Sequence, residues 1–195
     1  MVGHAESLRP RLLSRTTDGV PARFVILLFG GIALAVYVWQ QVSFAFIAGA
    51  PVPDHGFPDY PGFAGWTRWD SDWYSFIARK GYFYAGPGQQ SAVAFFPGYP
   101  AAMRLVMVVV RDALVAGVLV TYAAGLATAV LFWRWCRAAL GERVARVAVV
   151  GLLLWPFAFY LFGVVYSDAL FMAAAVAAFV ALERDHPGLA GLAGA

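Results

Sequence analysis

"FVILLFGGIALAVYVWQQVSFAFI", Phe24–Ile47, runs without one charged side chain. At about 1.5 Å per residue it is long enough to cross the roughly 30 Å hydrocarbon core of a bilayer. Composition extends that reading to the whole chain. The 195 residues are 62% hydrophobic and 13% charged, and mean hydropathy is +0.69. A soluble domain needs more charge than this to keep its surface dissolved. The expected fold is therefore an all-α, polytopic membrane protein.

The apolar run is preceded by a polar tail, residues 1–23, with Arg9, Arg11, Arg15 and Arg23. "AGA" at Ala48–Ala50 resembles a signal-peptidase site. The apolar segment is too long for a signal sequence, however, and Pro51 follows directly, so a retained first helix is expected. Pro51, Pro53, Pro58 and Pro61 exclude a continuous helix in the next stretch. Leu114–Trp133 reads as a second span. Val147–Val165, interrupted by Pro156, reads as a third, and Leu170–Leu182, after a "YSD" turn, as a fourth. Residues 183–195 end in "GLAGLAGA", the opening of a further helix.

Charge sets the orientation. "RWCRAALGERVAR" is short and basic, with Arg134, Arg137, Arg143 and Arg146, so it and the N-terminus belong on the cytoplasmic side. Residues 48–112 then form an external loop. Within it Phe95–Val110 carries Pro97, Pro100 and Arg104, which demotes it to an embedded helix that does not cross. The "YSD" turn falls on the same outer face.

Several classes of function drop out. Most arginines flank apolar runs, where topology explains them, and no basic stripe points to nucleic acid. Cys136 is the only cysteine, so no intrachain disulfide or thiolate cage can form. His4, His55 and His186 have no ligand spacing, and nothing in the sequence calls for a metal or other cofactor. Lys80 is the sole lysine amid abundant arginine, alanine, glycine and valine. That bias suggests a GC-rich genome and a bacterial plasma membrane, with the endoplasmic reticulum membrane as the alternative.

The densest aromatic cluster, "GWTRWDSDWYSFIARKGY" (Gly65–Tyr82), holds two aspartates. A helix over 69–81 would put Trp69, Trp73, Phe76 and Ile77 on one apolar face lying in the membrane interface. Asp70 and Asp72 would then sit on opposite flanks, too far apart to share a proton. Asp72 would fall near Arg79, and Asp70 against the apolar side, a costly place for an unused charge. Structural roles compete with functional ones. Asp70 could satisfy the free N–H groups at the helix start. Ser167 or Asp168 could cap the fourth span, the tryptophans could be an interfacial belt, and Arg104 could snorkel.

Three elements together resemble the PIG-V-type mannosyltransferases, polytopic enzymes of the GT-C glycosyltransferase class. They are "RWDSDWYSFIARKGY" (Arg68–Tyr82), "FFPGYPAAMRL" (Phe95–Leu105) and "PFAFYLFGVVYSDALF" (Pro156–Phe171). The family has a Trp-Asp start, an "IA..GY" ending, an "FFP.YP" element and a "Y[ST]E.LF" turn, in this order. Two departures are Asp168, where glutamate is usual, and Gly98, where leucine is frequent.

The resemblance, which covers about residues 24–182, implies a polyprenyl- or dolichyl-phosphate mannose donor and transfer on the extracytoplasmic or lumenal side. The acceptor would be a glycolipid, polymer or protein. It implies a catalytic acid in the first external loop, a position that Asp70 matches. Asp70 would act as general base in a single inverting displacement. Asp72 would contact the acceptor or pair with Arg79, and Asp168 would position donor or acceptor. Tyr99 and Tyr166 would bond sugar hydroxyls. Arg68, Arg79, Lys80 and Arg104 are the cations available to the departing lipid phosphate. Family members are longer, so a fragment, or a subunit whose partner supplies further helices, is also expected. A non-catalytic membrane module and a transporter are the readings from other classes.

Overall fold

The computed structural model describes residues 22–47 and 62–194, and among them every regular element is helical. Most of the N-terminal tail, the "AGA" tripeptide and the proline-rich stretch to residue 61 lie outside the described residues. The helices are α1 (Arg23–Ile47), α2 (Ser71–Lys80), α3 (Gly98–Val110), α4 (Ala113–Leu140), α5 (Glu142–Leu153), α6 (Asp168–Glu183) and α7 (Pro187–Gly194). Short 3-10 turns occupy Ala64–Trp66, Ala92–Ala94 and Pro156–Leu161.

α4 is the axis of the bundle, and α1, α3, α5, α6 and the Pro156–Leu161 turn all pack on it. Its start is fixed by Asp112, whose carboxylate accepts from the Val115 N–H at 2.8 Å, the usual way to satisfy an open helix end. Small residues let the neighbours come close. A methyl group on Gly125 would run into the Leu161 carbonyl oxygen, and one on Gly117 would lie 2.7 Å from a Val165 methyl. Thr121 and Thr128 are buried on the same helix. Thr121 donates to the Val164 carbonyl at 2.8 Å and Thr128 back to Ala124 at 2.9 Å. Close backbone approach through glycine, alanine and threonine is how helices associate where no water drives them together.

Among the described residues two helical stretches, Arg23–Ser43 and Ala113–Leu140, are long and apolar enough to cross a membrane. α1 leaves most of its apolar surface uncovered, with Leu27, Trp39 and Phe46 exposed by 74%, 71% and 84%. An apolar surface of that extent is unfavourable in water and ordinary against lipid.

The remaining expected spans differ. The third, Val147–Val165, is not one helix. α5 stops at Leu153 and the chain turns at Trp155 (ψ 135°) into the 3-10 turn that Pro156 opens. Proline forces the preceding residue out of helical conformation and removes a backbone donor. α6 covers the fourth with 16 residues, about 24 Å. α3 has 13 residues, about 20 Å, and begins directly after Pro97. The basic segment 134–146 is two helix ends rather than a loop, joined at Gly141, whose φ of 86° suits glycine. Arg137 and Arg146 both pair with Glu142 there, at 2.9 and 2.6 Å.

The two ends of the bundle differ in chemistry. Arg146 lies over the Phe24 ring at 5.2 Å, so the start of α1 and the α4–α5 junction share one end. The aromatic stretch and the "YSD" turn share the other, held together by hydrogen bonds.

Candidate functional site

Four hydrogen bonds join the two distant pieces of sequence. The Val165 N–H donates to the Trp66 carbonyl at 2.9 Å, and the Ser71 hydroxyl donates to the Val165 carbonyl at 3.0 Å. The Asp70 N–H donates to the Tyr166 hydroxyl at 2.9 Å. Tyr74 and Ser167 share a hydroxyl–hydroxyl bond at 2.9 Å. Ser71 is the hub: fully buried, it also accepts from the Arg68 N–H and lies 2.8 Å from the Arg68 carbonyl. Rings fill the gaps, with Trp69 edge-on to Tyr166 at 6.2 Å and Tyr74 edge-on to Tyr166 at 5.8 Å.

The expected helix over 69–81 is shorter and turned. Trp69 has φ 50° and stands outside it, 67% exposed. α2 buries Ser71, Tyr74, Ser75, Ile77 and Ala78, not Trp69, Trp73 and Phe76. Ile77 is buried as expected, but hydrogen bonds turn Ser71 and Tyr74 inward, onto Val165 and Ser167, while Trp73 and Phe76 are left to pack on Phe83. Trp73 lies nearly parallel to Phe83 and Phe95, with centroids 6.1 and 5.5 Å away.

Asp70 consequently does not press against an apolar face. It occupies the residue before α2, exposed, and its side chain makes no capping bond. Asp72 sits in the first turn, partly buried. Asp70 lines an open cleft of about 450 Å³ with Trp73, Tyr84, Gln89, Gln90 and Phe95, a volume typical of small-molecule sites. Asp168 is exposed in the first turn of α6. The charges of Asp70 and Asp168 both act on the Tyr74 and Tyr160 phenols, which places both carboxylates around one aromatic group. Ser167 precedes α6 without capping it, its hydroxyl being engaged with Tyr74.

Tyr166 bonds to protein rather than standing clear of it. Burial first, and the Asp70 carboxylate with it, push its phenol up to about 12, against the Asp70 N–H that favours the phenolate. It is a neutral hydroxyl at any physiological pH. Tyr99 is a correction. It is buried, with its hydroxyl 3.0 Å from the Gly117 carbonyl and 2.8 Å from the Thr121 hydroxyl. It locks α3 to α4 and has no face left for a sugar.

Arg104 has structural partners that the sequence reading did not foresee. Its guanidinium donates to the Ala78 carbonyl at 2.9 Å and the Arg79 carbonyl at 3.3 Å, closing the C-terminus of α2. A cation there satisfies open carbonyls and complements the helix dipole. Arg104→Ala should loosen the last turn of α2 by about 0.5–1 kcal/mol. Amide exchange should quicken at Lys80 and Gly81 while the α4 amides stay protected. Arg79 and Lys80 are exposed in that last turn and Arg68 is partly buried before α2. None of the four cations lines the Asp70 cleft.

Sequence reading gave Ser71 and Tyr74 no role, offered Ser167 only as a helix cap, and assigned nothing to "GPGQQ", residues 86–90. The one available signal was that "GPGQQS" sets amide side chains between two aromatic segments. Among the described residues no group of three or more His, Cys, Asp and Glu side chains is placed to hold a metal ion. Comparison with protein-family models, curated proteins and solved structures finds no match for this chain.

Proposed function

We propose that the chain is a polytopic membrane glycosyltransferase, or the N-terminal portion of one, that moves a sugar from a polyprenyl-phosphate donor to an extracytoplasmic acceptor. The observation that carries the reading is the exposed Asp70 carboxylate at a cleft of small-molecule size, held in place by the "YSD" turn. The motif resemblance supplies the reaction class, and mannose as the sugar.

In this reading α1 runs outward and α4 inward. α5 with the Pro156–Leu161 turn runs outward and α6 inward, giving four crossings of a bacterial plasma membrane. The lipid tail of the donor lies in the bilayer, so its phosphate and sugar reach the protein at the interface, where tryptophan is favoured. Asp70 takes the proton of the acceptor hydroxyl as that oxygen attacks the anomeric carbon. The bond from that carbon to the phosphate oxygen breaks, the lipid phosphate leaves with the electron pair, and the anomeric centre inverts. The motif resemblance leaves charge stabilisation of the departing phosphate to Arg68, Arg79, Lys80 and Arg104, all of which lie outside the Asp70 cleft, so the lipid phosphate would sit beyond that cleft. Asp72 and Asp168 are left to orient acceptor and donor.

The activity is tested in membranes containing the full chain, by transfer of radiolabelled mannose from polyprenyl-phosphate mannose. A chain that orders this lipid but transfers nothing would be a binding module instead. Topology is tested separately. Single cysteines at Gln90 and Ala139, both exposed, in a Cys136→Ser background should label from opposite sides of sealed vesicles. Same-side labelling sinks the four-crossing arrangement.

A further inference from the structure

At the other end of the bundle a second crevice, of about 460 Å³, opens between the ends of α4 and α6. Its α4 wall is Leu131, Arg134, Trp135 and Ala138, the i, i+3, i+4, i+7 spacing of one helix face. Its α6 wall is Val180, Glu183 and Arg184, with Asp185 just beyond. Along both helices the order is the same: an apolar side chain inside, charge one turn further out. The Trp135 indole forms a side wall, lying nearly parallel to the Phe179 ring at 6.3 Å.

The rim carries two cations, Arg134 and Arg184, and two anions, Glu183 and Asp185. Among the described residues none of the four forms an ion pair with another. Four charges of both signs, gathered round one cavity yet not paired with each other, select for a ligand of both signs. An anion alone would meet two carboxylates and a cation alone two guanidinium groups. The apolar floor at Leu131 and Val180 asks for hydrocarbon continuous with that ligand.

We propose that this crevice binds a zwitterionic phospholipid headgroup of the phosphoethanolamine type. The proposal rests on the membrane reading of the chain and is independent of sugar transfer. The phosphate is held by the planar N–H forks of Arg134 and Arg184. The ammonium donates to Glu183 and Asp185, and the acyl chains follow Leu131 and Val180 out of the bundle. A primary ammonium has three N–H donors for those carboxylates, whereas the trimethylammonium of a choline headgroup has none. The end concerned is the basic one, where positive-inside topology puts the cytoplasmic leaflet.

The test uses the full chain, purified in detergent, stripped of lipid and titrated with phosphatidylethanolamine, phosphatidylcholine, phosphatidylglycerol or soluble phosphoethanolamine. Binding is read by native mass spectrometry and by Trp fluorescence. Phosphatidylethanolamine should bind at least about tenfold more tightly than the other two lipids. The Glu183→Gln/Asp185→Asn variant should lose that preference and turn towards phosphatidylglycerol. Arg134→Gln/Arg184→Gln should lose phosphatidylethanolamine, while Arg143→Gln, which lies outside the crevice, should keep it. Equal binding of the three lipids, or an unchanged preference in the carboxylate variant, overturns the proposal. Soluble phosphoethanolamine binding as tightly as the lipid overturns the lipid assignment. Should the arginine variant fail to fold, the carboxylate variant decides alone.

Discussion

If the proposed transfer is the activity, Asp70→Asn should lower its rate by about 10²–10⁴-fold, the range that a positioned general base supplies, with little change in KM. The substitution keeps shape and hydrogen-bonding capacity but removes the basic lone pair. It should leave the fold alone, because the Asp70 side chain is exposed and caps no helix. What anchors this residue is its backbone N–H on Tyr166, and asparagine keeps that. The loss therefore belongs to kcat rather than to protein yield. Asp168→Asn is the informative companion. A positioning carboxylate should change KM more than kcat, so the two variants separate roles that one variant could not. Full activity in Asp70→Asn membranes would mean that the proton goes elsewhere.

Gly125→Ala is the largest expected stability effect. A methyl group there collides with the Leu161 carbonyl, and a backbone oxygen cannot swing aside as a side chain can. Relief requires the Pro156–Leu161 turn to move away from α4. A clash with backbone falls at the upper end of the roughly 1–3 kcal/mol that overpacking costs, against a gain of about 1 kcal/mol from alanine's helix propensity. A net loss near 2 kcal/mol would lower the melting temperature by roughly 4–8 °C. Gly151→Ala is the matched control. It lies in α5 with open space around its Cβ, so propensity alone acts and stability should hold or rise. If both substitutions behave alike, close packing at Gly125 is not what holds the turn. Because that turn leads into Val164–Asp168, Gly125→Ala should also weaken transfer, through loss of the Tyr166 and Ser71 bonds rather than through chemistry.

Much of the helical layout was legible in the sequence because local rules decide it. Pro97 precedes α3 and Pro156 breaks the third apolar run, whereas the continuation of α4 through the basic segment to Leu140 was not read. Which face of α2 packs inward was not legible. Hydrophobicity alone ranks Trp69 and Trp73 above Ser71 and Tyr74, yet hydrogen bonds to Val165 and Ser167 turn Ser71 and Tyr74 inward. Arg104 illustrates the same limit. An arginine in an apolar helix reads as a phosphate ligand or a snorkelling side chain, and its carbonyl partners on α2 are 25 and 26 positions away. Tyr99 reads as a polar handle until Thr121 and the Gly117 carbonyl are seen to claim it.

The sequence by itself determined a helical chain with four expected spans, of which two are helices of membrane length among the described residues, and located its polar residues in two separated stretches. Apolar length and proline act through neighbours in the chain, so no tertiary contact is needed to read them. Only the tertiary structure decided that Tyr166, Ser167 and Val165 would hold the Arg68–Tyr74 segment, and that Asp70 would face an open cleft. Those bonds span more than 90 positions. They exist because Gly117 and Gly125 let the Pro156–Val165 segment lie close against α4, a consequence of shape that no periodicity records.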